Sequence, residues 1–524
     1  MDVHRPGSAD PRRAHPGHRR RCEIRDLRDH PAPGRRGPRR HRDLLRAARA
    51  DRALRPDLHG LRGHDHRRDR PPRRRPGSPD EADDLDEEAG HPMSRIKDLQ
   101  KNLFGGTTSN ARQFGMIFTL VAIIVFFQIR TGGLTLQPGN LIALTQQYAY
   151  ISVLSIGMLM VIVAGHIDLS VGSVAAFVGI VVAKAISVHH VPWPLAIVLG
   201  LVVGAAIGAW QGFWVAYVGI PAFIVTLAGM LLFRGGNQYI GNADTVPVPP
   251  GFRQIGAGYL PEVGPDTGYN NLTLLLGLLA CVAVVWRELR SRQVRKQMEG
   301  AEPAPMWVSV IRMAVMIAVI IFATLRFAGG RVGTSFPISG IILAVLVIAY
   351  SFYTRNTAGG RHIYAVGGNA RAAELSGVQL RRVNFLVIMN MSVLAALAGM
   401  IFVARSTASG PQDGLGWELD AIAAVFIGGA AVSGGLGTVG GSIVGGLVMA
   451  VLKNGLLLTG TGSDMDQIIR GLFLLGAVAL DVYNKKQGRF SIIGSLTRQF
   501  RPRHEVAAAE TLAEDREKTP ATRI

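Results

Sequence analysis

His166 and Asp168 sit where two apolar stretches meet, and an ionisable group inside an apolar run is a functional hypothesis by default. Two chemistries compete for them. They form a polar gate or turn that touches a ligand, or Asp168 merely caps a helix starting at Leu169 and Ser170 by accepting its orphan amide protons; the cap is favoured. A His-x-Asp pair supplies too few ligands for a metal, and a proton relay needs more partners than this segment shows. Lys453, Arg470 and Asp481 also lie in apolar stretches, where internal ion pairing is the favoured role. The run SGGLGTVGGSIVGG at 433–446 looks like a phosphate loop, but no Lys followed by Ser or Thr closes it, and GxxxxGK[ST] occurs nowhere in the chain. Cys22 and Cys281 have no partner at ligand spacing. No catalytic residues, no metal ligands and no bound cofactor are expected, and if ATP drives this protein another chain must hydrolyse it.

The elements that must hold these residues are membrane helices. Of 524 residues, 48% are hydrophobic and 18% charged, and the charges cluster between long apolar runs. A span needs about 20 mostly apolar residues to cross about 30 Å of hydrocarbon. Twelve candidates follow: 114–130, 141–164, 169–187, 194–217, 221–236, 271–287, 307–327, 335–353, 384–404, 418–434, 436–459 and 465–484. The short gaps near Gly165, Gly219 and Gly434 leave room for broken or re-entrant helices, so the range is 10–12. With a cytoplasmic N-terminus, the inner loops after spans six, eight and twelve collect Arg287, Arg290, Arg292, Arg295 and Lys296, then Arg355, Arg361, Arg371, Arg381 and Arg382, then Lys485, Lys486 and Arg489. Outer segments are poor in Lys and Arg, so the positive-inside rule places both termini in the cytoplasm. Gly200, Gly204, Gly208 and Gly212 recur every four residues, as do Gly437, Gly441 and Gly445, and each row lines one helix face. In lipid such small-residue faces supply close backbone packing. The fold class expected is an all-α polytopic membrane protein, its permeating core at 114–484.

The first 92 residues differ from the rest. They hold 24 Arg, no Lys and nine of the fourteen His, with almost no apolar periodicity. Such a segment cannot offset the entropy of ordering its backbone, and residues 1–92 are expected to be a disordered Arg-rich arm. A basic arm for nucleic acid or anionic lipid is one reading. The absence of Lys beside so much Arg, His and Pro favours another, translation upstream of a true start at Met93. Residues 93–113 and 485–524 then read as cytoplasmic flanks, and 354–383 as a cytoplasmic loop. In that loop Asn369 can cap a short helix, Ala370 to Leu375, that Ser376-Gly377 terminates.

Four motifs carry a resemblance: AGHIDLSVGSVAAF at 164–177, PAFIVTLAGMLLFRGG at 221–236, GRHIYAVGGNARAAELSGV at 360–378 and LDAIAAVFIGGAAVSGGLGTVGGSIVGG at 419–446. In this order, over most of residues 94–490, the chain resembles the membrane permease subunit of bacterial monosaccharide ABC importers, the ribose, xylose, arabinose and galactose permease family. The extra spans between about 271 and 327, and GAWQGFWVAY at 208–217, are most similar to the xylose or multiple-monosaccharide subgroup. Many relatives carry Gly where this chain has His166, and residues 1–92 match nothing in the pattern. The resemblance implies a multi-pass protein of the bacterial cytoplasmic membrane that imports a pentose or hexose. It implies a separate ABC ATPase subunit that uses the ATP, an extracytoplasmic sugar-binding protein, a second identical permease, membrane lipid around it, and no nucleic acid. It makes Arg361, Asn369, Ala370, Arg371, Ala373, Glu374, Leu375, Ser376 and Gly377 the ATPase-coupling set. A sugar path needs amides and hydroxyls for sugar hydroxyls and aromatic faces for C–H surfaces. Gln146, Gln147, Trp210, Gln211, Trp214, Thr226 and Asn237 offer these, beside His166 and Asp168, as do Tyr148 and Tyr150; Trp210, Trp214, Tyr217 and Tyr148 serve equally as packing or interfacial anchors. The alternative is an ion-gradient-driven secondary sugar transporter, which also suits twelve spans. Against it stand the few buried ionisable groups and the loop at 360–378, which a gradient-driven carrier does not require.

Overall fold

The computed structural model describes residues 108–486 apart from 266, 298–305 and 332; the Arg-rich arm, the segment up to residue 107 and the tail from 487 lie outside the described residues. Each of the twelve apolar stretches forms helix. In chain order these are α1 (Thr108–Arg130), α2 (Pro138–Val163), α3 (Val171–Ser187), α4 (Trp193–Phe213, continued by a wider turn Trp214–Val218) and α5 (Ala222–Gly241). A short α6 (Pro250–Ala257) follows, then α7 (Asn271–Gln297), α8 (Met306–Ala328) and α9 (Ile338–Asn356). Two short helices, α10 (Ala358–Gly368) and α11 (Ala370–Leu375), lead into α12 (Leu380–Ser406), α13 (Trp417–Ile427), α14 (Val439–Leu458) and α15 (Ser463–Lys486). Among the described residues, seven helices are long and apolar enough to cross a membrane: α2, α4 with its continuation, α7, α8, α9, α12 and α14. α1 and α3 contribute shorter apolar stretches, Gly115–Arg130 and Val171–Ser187.

Small residues decide the packing. α2 runs through the centre of the bundle, and every residue from Tyr148 to Val163 is buried. The glycine row of α4 lies on α12: a Cβ on Gly200 would sit 2.7 Å from Met400 Sδ, on Gly204 2.5 Å from the Ala396 Cβ, and on Gly208 2.7 Å from the Met389 Cα. Without a hydrophobic drive between helices in lipid, this backbone proximity is what dispersion contacts require. α14 uses its glycines in the same way against α13, where Gly428 and Gly441 leave no space for each other's side chain.

Two helices are interrupted. α2 stops at Ala164, Gly165 turns the chain at φ +87°, and α3 begins only at Val171. The tenth apolar stretch, expected at 418–434, is shorter than the sequence suggests. α13 ends at Ile427, because the backbone at Gly429, Gly434, Gly435 and Gly437 adopts positive φ, which only glycine takes without strain. A two-residue antiparallel pair, Val246–Pro247 with Ala408–Ser409, ties the loop after α5 to the loop after α12. α7 and α8 pack on each other through Gly277 and Thr324, and most of their large apolar side chains are exposed.

Candidate translocation site and coupling segment

The break before α3 gathers one group of polar side chains. Asp168 Oδ1 accepts from the Ser170 amide at 2.8 Å and from the Ser170 hydroxyl at 2.7 Å. Gln211 Nε2 of α4 donates to Ser170 Oγ at 2.9 Å. Thr226 Oγ1 of α5 accepts from the Leu169 amide at 3.2 Å. All four side chains are buried, and Gly229 of α5 leaves room for the Gln211 amide. One expectation is corrected here. The residue preceding α3 is Ser170, so Asp168 does not cap the helix directly; it folds the two residues ahead of it into an Asx-type turn. His166 is half-buried just before this turn.

The other path candidates are elsewhere. Asn237 Nδ2 donates to the carbonyls of Gly410 and Pro411 at 3.2 and 3.4 Å, and so ties α5 to the loop before α13. Gln146 Nε2 donates to the Ala257 carbonyl at 3.1 Å, holding α6 against α2, with Gln147 half-buried beside it. Trp210 and Trp214 are 41% and 36% exposed on the outer side of α4 and do not join the buried group around Gln211.

A second cluster gives Lys453 and Arg470 partners that their sequence positions do not reveal. Asp420 of α13 pairs with Arg470 at 2.8 Å and with Lys453 at 3.9 Å, and Arg470 also pairs with Asp466 at 2.7 Å. The ammonium of Lys453 stands 5.9 Å from the Tyr148 ring. Lys453 and Arg470 therefore do pair internally, but with Asp420 and Asp466; the side chain of Asp481 falls outside the described residues. Beside Asp420, Glu418 is 7% exposed, its Oε1 4.0 Å from Arg234. Trp417 packs against Tyr150 and Phe402 at ring-centroid distances of 4.4 and 4.5 Å. Acids inside an apolar run were the signal that could have singled out Glu418 and Asp420.

The segment at 357–379 is rigid by its own hydrogen bonds. Thr357 caps α10 by accepting from the Gly360 amide at 3.1 Å, and Asn369 caps α11 by accepting from the Ala372 amide at 3.0 Å. Ser376 Oγ donates to the Ala372 carbonyl, and Gly377 ends the turn at φ +88°. Ala373 is buried, whereas Arg361, Asn369, Ala370, Arg371, Glu374, Ser376 and Gly377 are exposed, as is Leu375 at 84%. The base of the segment is fastened to the bundle. Tyr364 Oη donates to the Gly437 carbonyl at 2.9 Å, and Gly367 lies so close to the Val163 carbonyl that no side chain fits between them. Burial pushes the Tyr364 phenol above its ordinary value, with Arg355 opposing, so the hydroxyl keeps the proton it donates. A cavity of about 340 Å³ opens between Thr354, Arg355, Arg361, Tyr364 and the start of α14. Among the described residues no group of three His, Cys, Asp or Glu is placed to hold a metal.

Comparison with known proteins returns one family model, described as the branched-chain amino acid transport system / permease component, which matches residues 140–478. The chain is 38% identical to the xylose transport system permease protein of Escherichia coli K12 over 386 residues, 73% of this chain and 95% of that protein. It is 36% identical to the protein of the same name in Haemophilus influenzae over 379 residues, 72% of this chain and 98% of that one. It is also 32% identical to the ribose import permease protein of Escherichia coli K12 over 374 residues, 70% and 94% of the two chains. No solved structure matches the chain significantly.

Proposed function

The chain belongs to the permease-component family of these transport systems, and from that premise we propose that it is the transmembrane subunit of an ATP-driven importer for a monosaccharide, xylose or a close relative. The observation that carries the reading is identity of 38% along 95% of a xylose transport permease. α7 and α8 fall inside that matched length. Family members are transport subunits, not enzymes, and the sequence lacks the Lys-closed glycine loop that an ATPase needs for phosphate. Hydrolysis therefore belongs to a partner, and no cofactor is assigned to this chain.

In this reading the chain passes through the bacterial cytoplasmic membrane ten to twelve times, with both ends inside, and the short α13 does not span it alone. α11 is the piece that docks on the ATPase. Capped at both ends, it presents the exposed Leu375 as an apolar knob with Arg371 and Glu374 beside it, while Tyr364 and Gly367 fasten its base to α2 and to the break before α14. A push on α11 is thereby delivered to both interrupted helices. Two identical copies, two ATPase domains and an extracytoplasmic sugar-binding protein complete the assembly. Alternation between outward and inward openings needs a ligand that prefers one state, and ATP bound between the ATPase domains supplies it. The path is lined by Asp168, Gln211 and Thr226, with His166 at its edge. Gln146, Gln147, Trp210, Trp214 and Asn237 remain candidates whose positions lie outside that group.

The test is ATP hydrolysis by the full chain in nanodiscs with its ATPase and binding protein, titrated with xylose, ribose, arabinose, glucose and galactose. Stimulation that requires both the binding protein and one of these sugars is expected. Accumulation of sugar by this chain alone on an imposed ion gradient would overturn the reading.

A further inference from the structure

Two helix starts meet inside the bundle. α3 begins at Val171 after its break, and α13 begins at Trp417 after the loop 410–416. A Cβ on Gly172 would run into the Gly414 carbonyl and lie 2.6 Å from Glu418 Oε2; Gly414 itself sits at φ +82° against the Gly172 carbonyl. Both starts carry acids, Asp168 two residues before Ser170, and Glu418 and Asp420 in the first turn of α13. Three acceptors here have no hydrogen-bond partner, Asp168 Oδ2, Ser173 Oγ and Glu418 Oε2. Their residues are 0%, 2% and 7% exposed. An ionisable oxygen buried without a donor is costly, and its persistence calls for a donor supplied in another state of the molecule. Arg234 approaches the other oxygen of Glu418 and leaves Oε2 free.

The chemistry of these groups selects the ligand. Two carboxylates disfavour an anion. A simple cation meets the positive ends of two helices and the Arg234 guanidinium. A neutral polyol suits all of them, since its hydroxyl protons go to the carboxylates and to Ser173 while its oxygens accept from first-turn amides. Trp417, held against Tyr150 and Phe402, sits at the same helix start and offers an apolar face for C–H groups. Discontinuous helices whose starts converge at mid-bundle are a general way to build a transport site. We propose that this meeting point holds the sugar part-way through the bundle, with Glu418 accepting from its hydroxyls and setting which of them are required. The inference rests on the permease reading. The seam between Gly172 and Gly414 is shut in this structure, so passage requires α3 and the 410–416 loop to part.

The experiment compares uptake of xylose with uptake of its monodeoxy analogues by the full complex, for the unaltered chain and for Glu418→Ala, with the same binding protein throughout. Because the binding protein is common, its own preference cancels between the two chains. Removing the hydroxyl that meets Glu418 is expected to slow the unaltered chain about tenfold or more, and to make at most a twofold difference in Glu418→Ala. A merely structural role for Glu418 would lower all rates together and leave every ratio unchanged, which would overturn the proposal. If Glu418→Ala does not assemble, the same ratios from Glu418→Gln and Ser173→Ala decide the matter. Failure of the unaltered complex to carry any of these sugars would overturn the permease reading, and this inference with it.

Discussion

At the scale of single residues, the buried charges and the helix caps are where substitution has the sharpest consequences. Asp420→Ala leaves Arg470 and Lys453 facing an apolar wall without their shared carboxylate. Both cations are partly exposed and Arg470 keeps Asp466, so the expected loss is about 1–3 kcal/mol, less than for a fully buried pair. A lowered unfolding midpoint in detergent would check it, and an unchanged midpoint would show the network to be dispensable. Asn369→Ala removes the side-chain cap from the start of a six-residue helix, leaving the bonds at its other end in place. Sugar-stimulated ATP hydrolysis is expected to fall about fivefold, with Asn369→Asp restoring it because aspartate caps equally well. Equal activity in the alanine variant would mean that α11 does not transmit the ATPase's motion.

Among elements, the α4–α12 contact leaves little room for added side chains. Gly208→Val drives a branched side chain into the Met389 backbone and the Ser392 side chain, whereas a Cβ on Gly440 meets nothing within 4 Å. The first change is expected to cost about 3 kcal/mol or more, and Gly440→Ala to be neutral or slightly stabilising. Thermal unfolding of the two variants side by side distinguishes close packing from a general intolerance of glycine replacement. The glycine face of α4 was legible beforehand, since glycines spaced by four must share a helix face, but its partner α12 was not. The capped helix at 370–375 was legible too, because its signals are adjacent in the chain. The early end of α13 was less legible. Its apolar residues continue past Ile427, and only the backbone at Gly429 to Gly437 shows that the helix stops.

For the molecule as a whole, the charge asymmetry of the loops leads to a topology with consequences for access. Cysteines placed at positions 190 and 264, with Cys22 and Cys281 replaced, are expected to react with an impermeant thiol reagent in intact cells, and one at position 371 only after permeabilisation. Reaction at 371 in intact cells would invert the assigned orientation. Removal of residues 1–92 is expected to leave sugar uptake within about twofold, an expectation drawn from the composition of that segment, which holds 24 Arg and no Lys. Loss of uptake on that truncation would instead make the arm part of the transporter.

The sequence alone determined that this is a helical membrane protein with glycine-packed helices, a capped exposed helix at 370–375 and a permease's motifs, because helix formation, membrane partition and local capping depend on neighbours in the chain. It also placed Asp168, Gln211 and Thr226 among the candidates, but as separate residues on three stretches. Only the tertiary structure brought those three together, gave Lys453 and Arg470 their partner in Asp420, and set Glu418 against Gly172. Which side chains meet across about 30 to 250 residues of chain depends on where α2 and α13 break and on which glycine faces abut, and no local periodicity carries that information.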